Sequence, residues 1–184
     1  MSDAGDLRHA DEALREALDD DDSNDDPHMR IRLHWSLARL AEMEGRSAAA
    51  LRHARRAITL LEATEDDHHQ ARAHLLAAWI LNSAGRGKRA LVELEKADAL
   101  FGRRVSGDDA AMLAVERARS AALLGDGVEA ERLAREAIAL SGAQHGAIYG
   151  SALSALADGL ALQGEISQAS EAYAQGVDLS LIHI

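Results

Sequence analysis

The 184-residue chain contains no cysteine, one proline and 3% aromatic residues, while 47% of its residues are hydrophobic. This composition excludes disulfides and thiolate zinc sites, and it favours helices over strands. No apolar run approaches the roughly 18 residues that a membrane-spanning helix needs, and the N-terminus lacks the basic region of a signal peptide. We therefore predict a cytoplasmic, all-α protein without a membrane segment.

The formal net charge of −11 is concentrated at the N-terminus. Residues 1–27 contain eleven acidic residues and two arginines, a net charge of −9, which leaves −2 for residues 28–184. The run Asp19–Asp26 is predicted to be a solvated linker rather than a calcium loop, because the central glycine of such a loop is missing. The nearly balanced charge of the remaining chain argues against direct nucleic-acid binding.

Five glycines recur at intervals of 40, 40, 40 and 39 residues, namely Gly5, Gly45, Gly85, Gly125 and Gly164. Alanine lies seven residues before each of the last four glycines and five residues after all five. Apolar and small residues keep helical spacing on both sides, so each unit is predicted to be two antiparallel helices joined at the glycine. Glycine relieves the strain of the tight turn, and alanine makes room where the helices cross.

The predicted units follow in chain order. Residues 1–26 are predicted to form a half-repeat helix, at Gly5–Leu18, and the acidic linker. Residues 27–184 are predicted to form four hairpins, in rough bounds Ile31–Glu62, Ala71–Gly102, Ala111–Gly142 and Gly150–Ser180. Asp26 with Pro27 has the pattern of a helix start for the first hairpin. Asp67 and either Asp108 or Asp109 are predicted to cap the next two.

The segment Gly85-x-Gly87-x-x-Ala90 has the letters of a dinucleotide-binding loop. Such a loop must follow a strand, and its second glycine lets the backbone approach pyrophosphate. Here a predicted helix precedes Gly85, and of the other four units only one keeps a glycine at the second position (Gly127), while the others carry Leu7, Ser47 and Ile166. A phosphate-binding Walker loop fails as well, because Asn82 replaces its first glycine. The sequence therefore predicts a turn between helices and no cofactor.

This grid of turn glycines and small residues resembles the tetratricopeptide repeat (TPR) over nearly the whole chain. The period near 40 is similar to the longer repeats of kinesin light chains and of bacterial helix-turn-helix regulators with C-terminal repeat arrays. The resemblance implies a right-handed solenoid of antiparallel helical hairpins that acts as a scaffold or regulatory interaction domain. Most large aromatics of the repeat consensus are replaced here by alanine, histidine or leucine.

In a stack of such hairpins the first helices line the concave side, so residues thirteen, ten, six and three before each turn glycine form one stripe. Both tryptophans and four arginines of the chain lie on this stripe. The predicted partner-binding residues are Arg32, Trp35, Arg39, Arg72, Leu75, Trp79, Asn82, Met112, Val115 and Arg119.

Tryptophan and arginine commonly anchor interfaces, and arginine can bind a carboxylate through two hydrogen bonds. The predicted ligand is therefore a protein or peptide with acidic and apolar groups. In the alternative interpretation, Trp35 and Trp79 fill space between helices and the arginines pair with local glutamates. The acidic run at residues 19–26 is a further candidate to occupy the concave side.

The sequence contains no clear pattern of a catalytic or metal-binding site. Asp66, Asp67, His68, His69 and His74 are the one group that resembles metal ligands, but their spacing matches no standard zinc motif, and we predict a structural role. No serine has the context of a nucleophile elbow, and no carboxylate pair is distinguished from ordinary surface acids. We predict no enzyme activity, no catalytic residue and no metal.

Two other functions stay open at this point. A chain that starts on a half-repeat suggests a fragment of a longer protein, such as the sensor and dimerisation region of a helix-turn-helix transcription regulator whose DNA-binding domain is absent from this chain. The apolar segment at residues 179–184 suggests instead a self-associating structural array, which also makes a homodimer possible.

Overall fold

A computed structural model describes residues 3–19, 26–102, 105–141 and 146–181. These residues form nine α-helices and no strand, which confirms the predicted all-α class. The helices are α1 (Asp3–Asp19), α2 (Pro27–Met43), α3 (Ser47–Glu62), α4 (Asp67–Ser83), α5 (Gly87–Phe101), α6 (Gly107–Leu123), α7 (Gly127–Leu140), α8 (Ala147–Leu162) and α9 (Ile166–Leu181). No helix among the described residues combines the length and hydropathy needed to cross a membrane. Most of the acidic run, residues 20–25, and the terminal residues 182–184 lie outside the description.

The helices pair as α2–α3, α4–α5, α6–α7 and α8–α9, while α1 packs against α2. Each pair is joined at a predicted turn glycine with a positive φ, at Gly45 (71°), Gly85 (70°), Gly125 (83°) and Gly164 (83°). This is the left-handed region that favours glycine. The prediction for Gly5 is wrong, because this residue lies inside α1 and makes no turn.

The starts of the helices follow the sequence only in part. Asp26 accepts a hydrogen bond from the His28 N–H at 2.9 Å, directly before Pro27, as predicted. The caps predicted for the next two hairpins are wrong: Asp66 caps α4 and Ser106 caps α6. Asp67 and Asp109 lie in the first helical turn, and a capping residue must precede that turn to reach its free N–H groups.

Alanines of the grid fill the crossing points between helices. Ala38, Ala78 and Ala118, seven residues before the turn glycine, are completely buried. So are Ala50, Ala90 and Ala130, five residues after it. A larger side chain at these positions would push apart the two helices of a hairpin, because protein interiors are close-packed.

Glycines at the start of α5 and α7 allow neighbouring hairpins to approach each other closely. A Cβ atom added to Gly87 would lie 3.0 Å from the carbonyl oxygen of Ser120, and one added to Gly127 would lie 2.9 Å from that of Gly159. The second glycine of the loop-like segment therefore serves close helix packing. Ser47 takes the corresponding place in the first hairpin, at the start of α3.

Candidate functional site

The first helices of the four hairpins line a cavity of about 380 Å³, which we call the concave groove. Its lining residues are Trp35, Arg39, Arg72, Leu75, Leu76, Trp79, Met112, Val115, Glu116, Arg119, Ala147, Ile148 and Ser151. Eight of the ten predicted binding residues are among them. Arg32, which is exposed on α2, and Asn82, which is buried on α4, lie outside this lining.

The floor of the concave groove is apolar and its walls carry the aromatic side chains. Leu75 and Val115 are 2% and 3% exposed, respectively. Trp35 and Trp79 are half-buried, and they pack against the core as well as line the groove. One portion of each indole thus fills space between helices, as the alternative interpretation predicts, while another portion lines the groove. A tryptophan covered by a ligand buries on the order of 200 Å² in total.

The arginines of the groove differ in what they contact. Arg119 donates a hydrogen bond to Glu116 at 2.7 Å. The Arg72 Nε atom lies 3.4 Å from a carboxylate oxygen of Asp109. Arg39 is exposed and has no ion-pair partner among the described residues. The positive charge that remains available to a ligand is therefore greatest at Arg39, on the N-terminal side of the groove.

Asn82 differs from the other predicted binding residues because its side chain is used inside the protein. It is 6% exposed, and its amide nitrogen donates to both the backbone carbonyl and the carboxylate of Glu116, each at 2.9 Å. Its oxygen accepts a hydrogen bond from the Ser120 hydroxyl at 2.9 Å. Asn82 thus couples α4 to α6, and it lines a second cavity beside the concave groove rather than the groove itself.

Sequence reasoning missed the partners of Asn82. Glu116 and Ser120 lie between the positions of the stripe, and nothing in the spacing distinguishes Glu116 from a surface acid. Burial raises the pKa of Glu116, while Arg119 and Asn82 oppose that rise. Leu76, Ala147 and Ile148 were missed for a simpler reason: a helix face that lines a groove is wider than one line of side chains.

A second, more open cavity of about 670 Å³ continues from Trp79 and Arg119 towards α8. It adds Asp158, Ala161 and Leu162 to the surface, and two of these, Asp158 and Ala161, lie on the stripe in the fourth hairpin. Burial raises the pKa of Asp158, and the nearby Arg119 opposes this. Asp158 is therefore the acidic residue of this second cavity, and Arg119 is the basic residue near it.

The histidines of the metal-like group have separate partners. His69 lies 2.7 Å from Asp66, His68 lies 3.6 Å from Asp109, and His74 on α4 lies 2.7 Å from Glu93 on α5. No group of three or more potential ligands within metal-binding reach occurs in the described part of the chain. The His74–Glu93 contact joins the two helices of its hairpin.

The same two repeat positions hold a pair of histidines in the first hairpin. His34 and His53 face each other with their Nδ1 atoms 3.1 Å apart, where the second hairpin has His74 and Glu93. The pKa of His34 is lowered to about 4, mainly by burial. The neighbouring His53 and the positive charges of Arg30 and Arg56 contribute to the same shift. Burial and nearby arginines also lower the pKa of His53. Both histidines are therefore neutral in the folded protein near pH 7.

Acid should therefore weaken the first hairpin. Below the ordinary histidine pKa of 6.5 the unfolded chain binds protons that folded His34 does not bind until about pH 4. The contribution of neutral His34 to the free energy of unfolding is thus fully present above pH 6.5, and it is lost as the pH falls from 6.5 to about 4. Solvent screens part of the effect, so we expect a loss of about 2 kcal/mol in the free energy of unfolding, measurable by urea unfolding over this range.

The variant His53→Glu provides the matched control, because it gives His34 the carboxylate partner that His74 already has. A protonated His34 would then be stabilised, and the fall in unfolding free energy just below pH 6.5 should disappear or reverse. Equal pH dependence of the wild type and of this variant would contradict the assignment to the histidine pair.

Four stacked hairpins with an accessible groove on their inner helices define a TPR-like repeat scaffold. The comparison with solved structures gives the same result. BtubC (BKLC) from P. vanneervenii superimposes with a TM-score of 0.72 at 18% identity, covering 98% of this chain and 75% of that chain. Two crystal structures of a putative kinesin light chain with nearly identical TPR-like repeats, from Podosopora anserina, give TM-scores of 0.70 and 0.66 at 17% identity.

The alignments with the two kinesin light chain structures both cover 96% of this chain, and they cover 87% and 88% of those chains. The predicted TPR-like fold is thereby confirmed. No protein-family model and no curated protein matches the sequence. Similarity at this level of identity extends to the fold alone, so the ligand has to be argued from the residues of the groove.

Proposed function

We propose that this chain is a protein- or peptide-binding module without enzyme activity and that its ligand lies in the concave groove. The observation that carries the proposal is the convergence of Trp35, Trp79 and the unpaired Arg39 on one cavity with an apolar floor. Accessible tryptophan next to an unpaired arginine is the composition of interface hot spots. Its position on the inner face of a TPR-like scaffold supports the same function.

The chemistry of the groove favours a ligand that is apolar in the middle and acidic at one end. The two tryptophans and the half-buried Met112 offer surface to apolar side chains, whose burial contributes about 25 cal/mol per Å². Arg39 and the weakly paired Arg72 can bind a carboxylate. Arg119 contributes less to charge recognition, because Glu116 already neutralises it.

Tryptophan fluorescence tests the proposal, since both tryptophans of the chain line the groove. The protein would be titrated with a library of short peptides that combine apolar and acidic residues. Saturable binding is expected for some of them, and Arg39→Gln should weaken it about tenfold, because a charged hydrogen bond is lost. Trp79→Leu should weaken it further and leaves Trp35 as the reporter.

Arg89→Gln is the control, because Arg89 is exposed on α5, away from the groove lining. Circular dichroism would establish that each variant is folded. Binding that is equally strong in wild type and Arg39→Gln, or no peptide that changes the fluorescence, would show that the groove is not the binding site.

A further inference from the structure

The outer face of α3 carries three arginines at helical spacing. Arg52, Arg55 and Arg56 are all exposed, and residues i, i+3 and i+4 of a helix share one face. Arg52 makes one weak hydrogen bond, to the carbonyl of Ala48 at 3.4 Å. Within the described residues none of the three has a carboxylate in ion-pair distance. We call this surface the α3 arginine stripe.

The third hairpin shows the same two arginine positions with acidic partners. Arg132 and Arg135 of α7 lie seven and ten residues after their turn glycine, as Arg52 and Arg55 do. Arg132 contacts Glu129 at 2.7 Å and Glu136 at 3.1 Å, and Arg135 contacts Glu131 at 2.8 Å. The outer face of α7 therefore has little free positive charge.

On α3 each of these acids is replaced. Ala49, Leu51 and Arg56 occupy the repeat positions of Glu129, Glu131 and Glu136, respectively. Like charges four residues apart, such as Arg52 and Arg56, destabilise a helix by a few tenths of a kcal/mol. Repulsion within the stripe thus slightly destabilises α3 in the isolated protein, whereas the paired arginines of α7 have no such effect. A bound anionic partner would remove this repulsion.

We propose that the α3 arginine stripe is a second docking surface, separate from the concave groove, which binds an acidic helix or segment of another protein. The three arginines begin within about 6 Å of one another along the helix axis, so they can bind several carboxylates on one face of a partner helix. The site lies on the outer side of the hairpin, so its ligand and a ligand of the groove do not compete for the same residues.

Other anionic partners fit this surface less well. Nucleic-acid binding relies on many phosphate contacts, often six to ten, whereas the stripe offers three arginines. Membrane surfaces are bound by clusters of about four to eight basic residues or by an amphipathic helix with apolar anchors. None of the exposed large hydrophobic side chains identified in the described residues lies on α3. The α3 arginine stripe is short and entirely polar, which favours an acidic protein segment over a nucleic acid or a membrane surface.

Fluorescence anisotropy with the full chain tests this inference. The probe is a labelled helical peptide of glutamate and alanine, with the glutamates on one face and no large apolar residue that could enter the groove. The variant Arg52→Gln/Arg55→Gln/Arg56→Gln is expected to bind at least about tenfold more weakly than wild type. The matched control, Arg132→Gln/Arg135→Gln, should bind like wild type, and the groove variant Arg39→Gln, measured in parallel, reports any part of the binding that occurs in the groove.

Glutamine at these exposed positions keeps the helix and its packing, and circular dichroism would confirm that. Equal binding by the stripe variant, or an equal loss in the α7 control, would overturn the proposal. So would binding of a short RNA duplex or of phosphatidylserine vesicles to the stripe when the acidic peptide does not bind. A negative result for the groove peptides would leave this result unchanged, because the probe has no large apolar side chain and Arg39→Gln is measured separately.

Discussion

Gly159→Ala is expected to lower the free energy of unfolding by about 2–3 kcal/mol. Gly159 lies in α8, where that helix passes the start of α7. A Cβ atom there would be 2.7 Å from the backbone nitrogen of Glu131, 3.1 Å from the carbonyl oxygen of Gly127 and 3.2 Å from the carbonyl carbon of Ala130. All three neighbours are backbone atoms, so the methyl group can be accommodated only if α7 and α8 separate.

Gly150→Ala, in the same helix, should have the opposite effect. The nearest atom to its added Cβ would be the carbonyl oxygen of Gly176 at 3.6 Å, which is an ordinary contact. Alanine is favoured over glycine within a helix by about 0.8–1 kcal/mol, so this variant should be slightly more stable than wild type. Urea unfolding of both proteins measures the difference, and the same sign of change in both would contradict the close approach of α7 and α8.

Asn82→Ala is expected to destabilise the protein by about 2–4 kcal/mol. The substitution removes two hydrogen bonds to Glu116 and the acceptor for the Ser120 hydroxyl. Glu116 stays buried with Arg119 as its remaining ionic partner, and a buried charge that loses hydrogen bonds keeps its full desolvation cost. Urea unfolding gives the change, with Ser83→Ala on the exposed neighbour as the control.

A second substitution tests the mechanism. Leu76 occupies the repeat position of Glu116 in the second hairpin, so Glu116→Leu places a residue there that the repeat already accepts. Burial raises the pKa of Glu116, which means that its ionised form opposes folding at neutral pH, and this cost disappears with the carboxylate. The double variant Asn82→Ala/Glu116→Leu should therefore recover most of the lost stability. Additive losses would show that the three side chains do not act as one network.

The sequence by itself determined the repeat. Turn glycines such as Gly45 and Gly85 need a positive φ, and alanines such as Ala50 and Ala90 are needed where two helices cross. These requirements are local to each hairpin, so they recur every 40 residues and can be recognised without a structure. The same holds for the helix start at Asp26 and Pro27, where the cap acts within one turn. The stripe rule also placed eight of ten predicted residues on the concave groove.

Only the tertiary structure decided what each repeat position does. Glu42, Asn82 and Ala122 lie three residues before their turn glycines, and yet they differ in their surroundings. One carboxylate oxygen of Glu42 is buried without a hydrogen bond, whereas Asn82 joins a network with Glu116. In the same way, the arginines of α3 are unpaired while those of α7 have partners. The partner of a side chain comes from a neighbouring turn or hairpin, and its identity varies from repeat to repeat while the helical period does not.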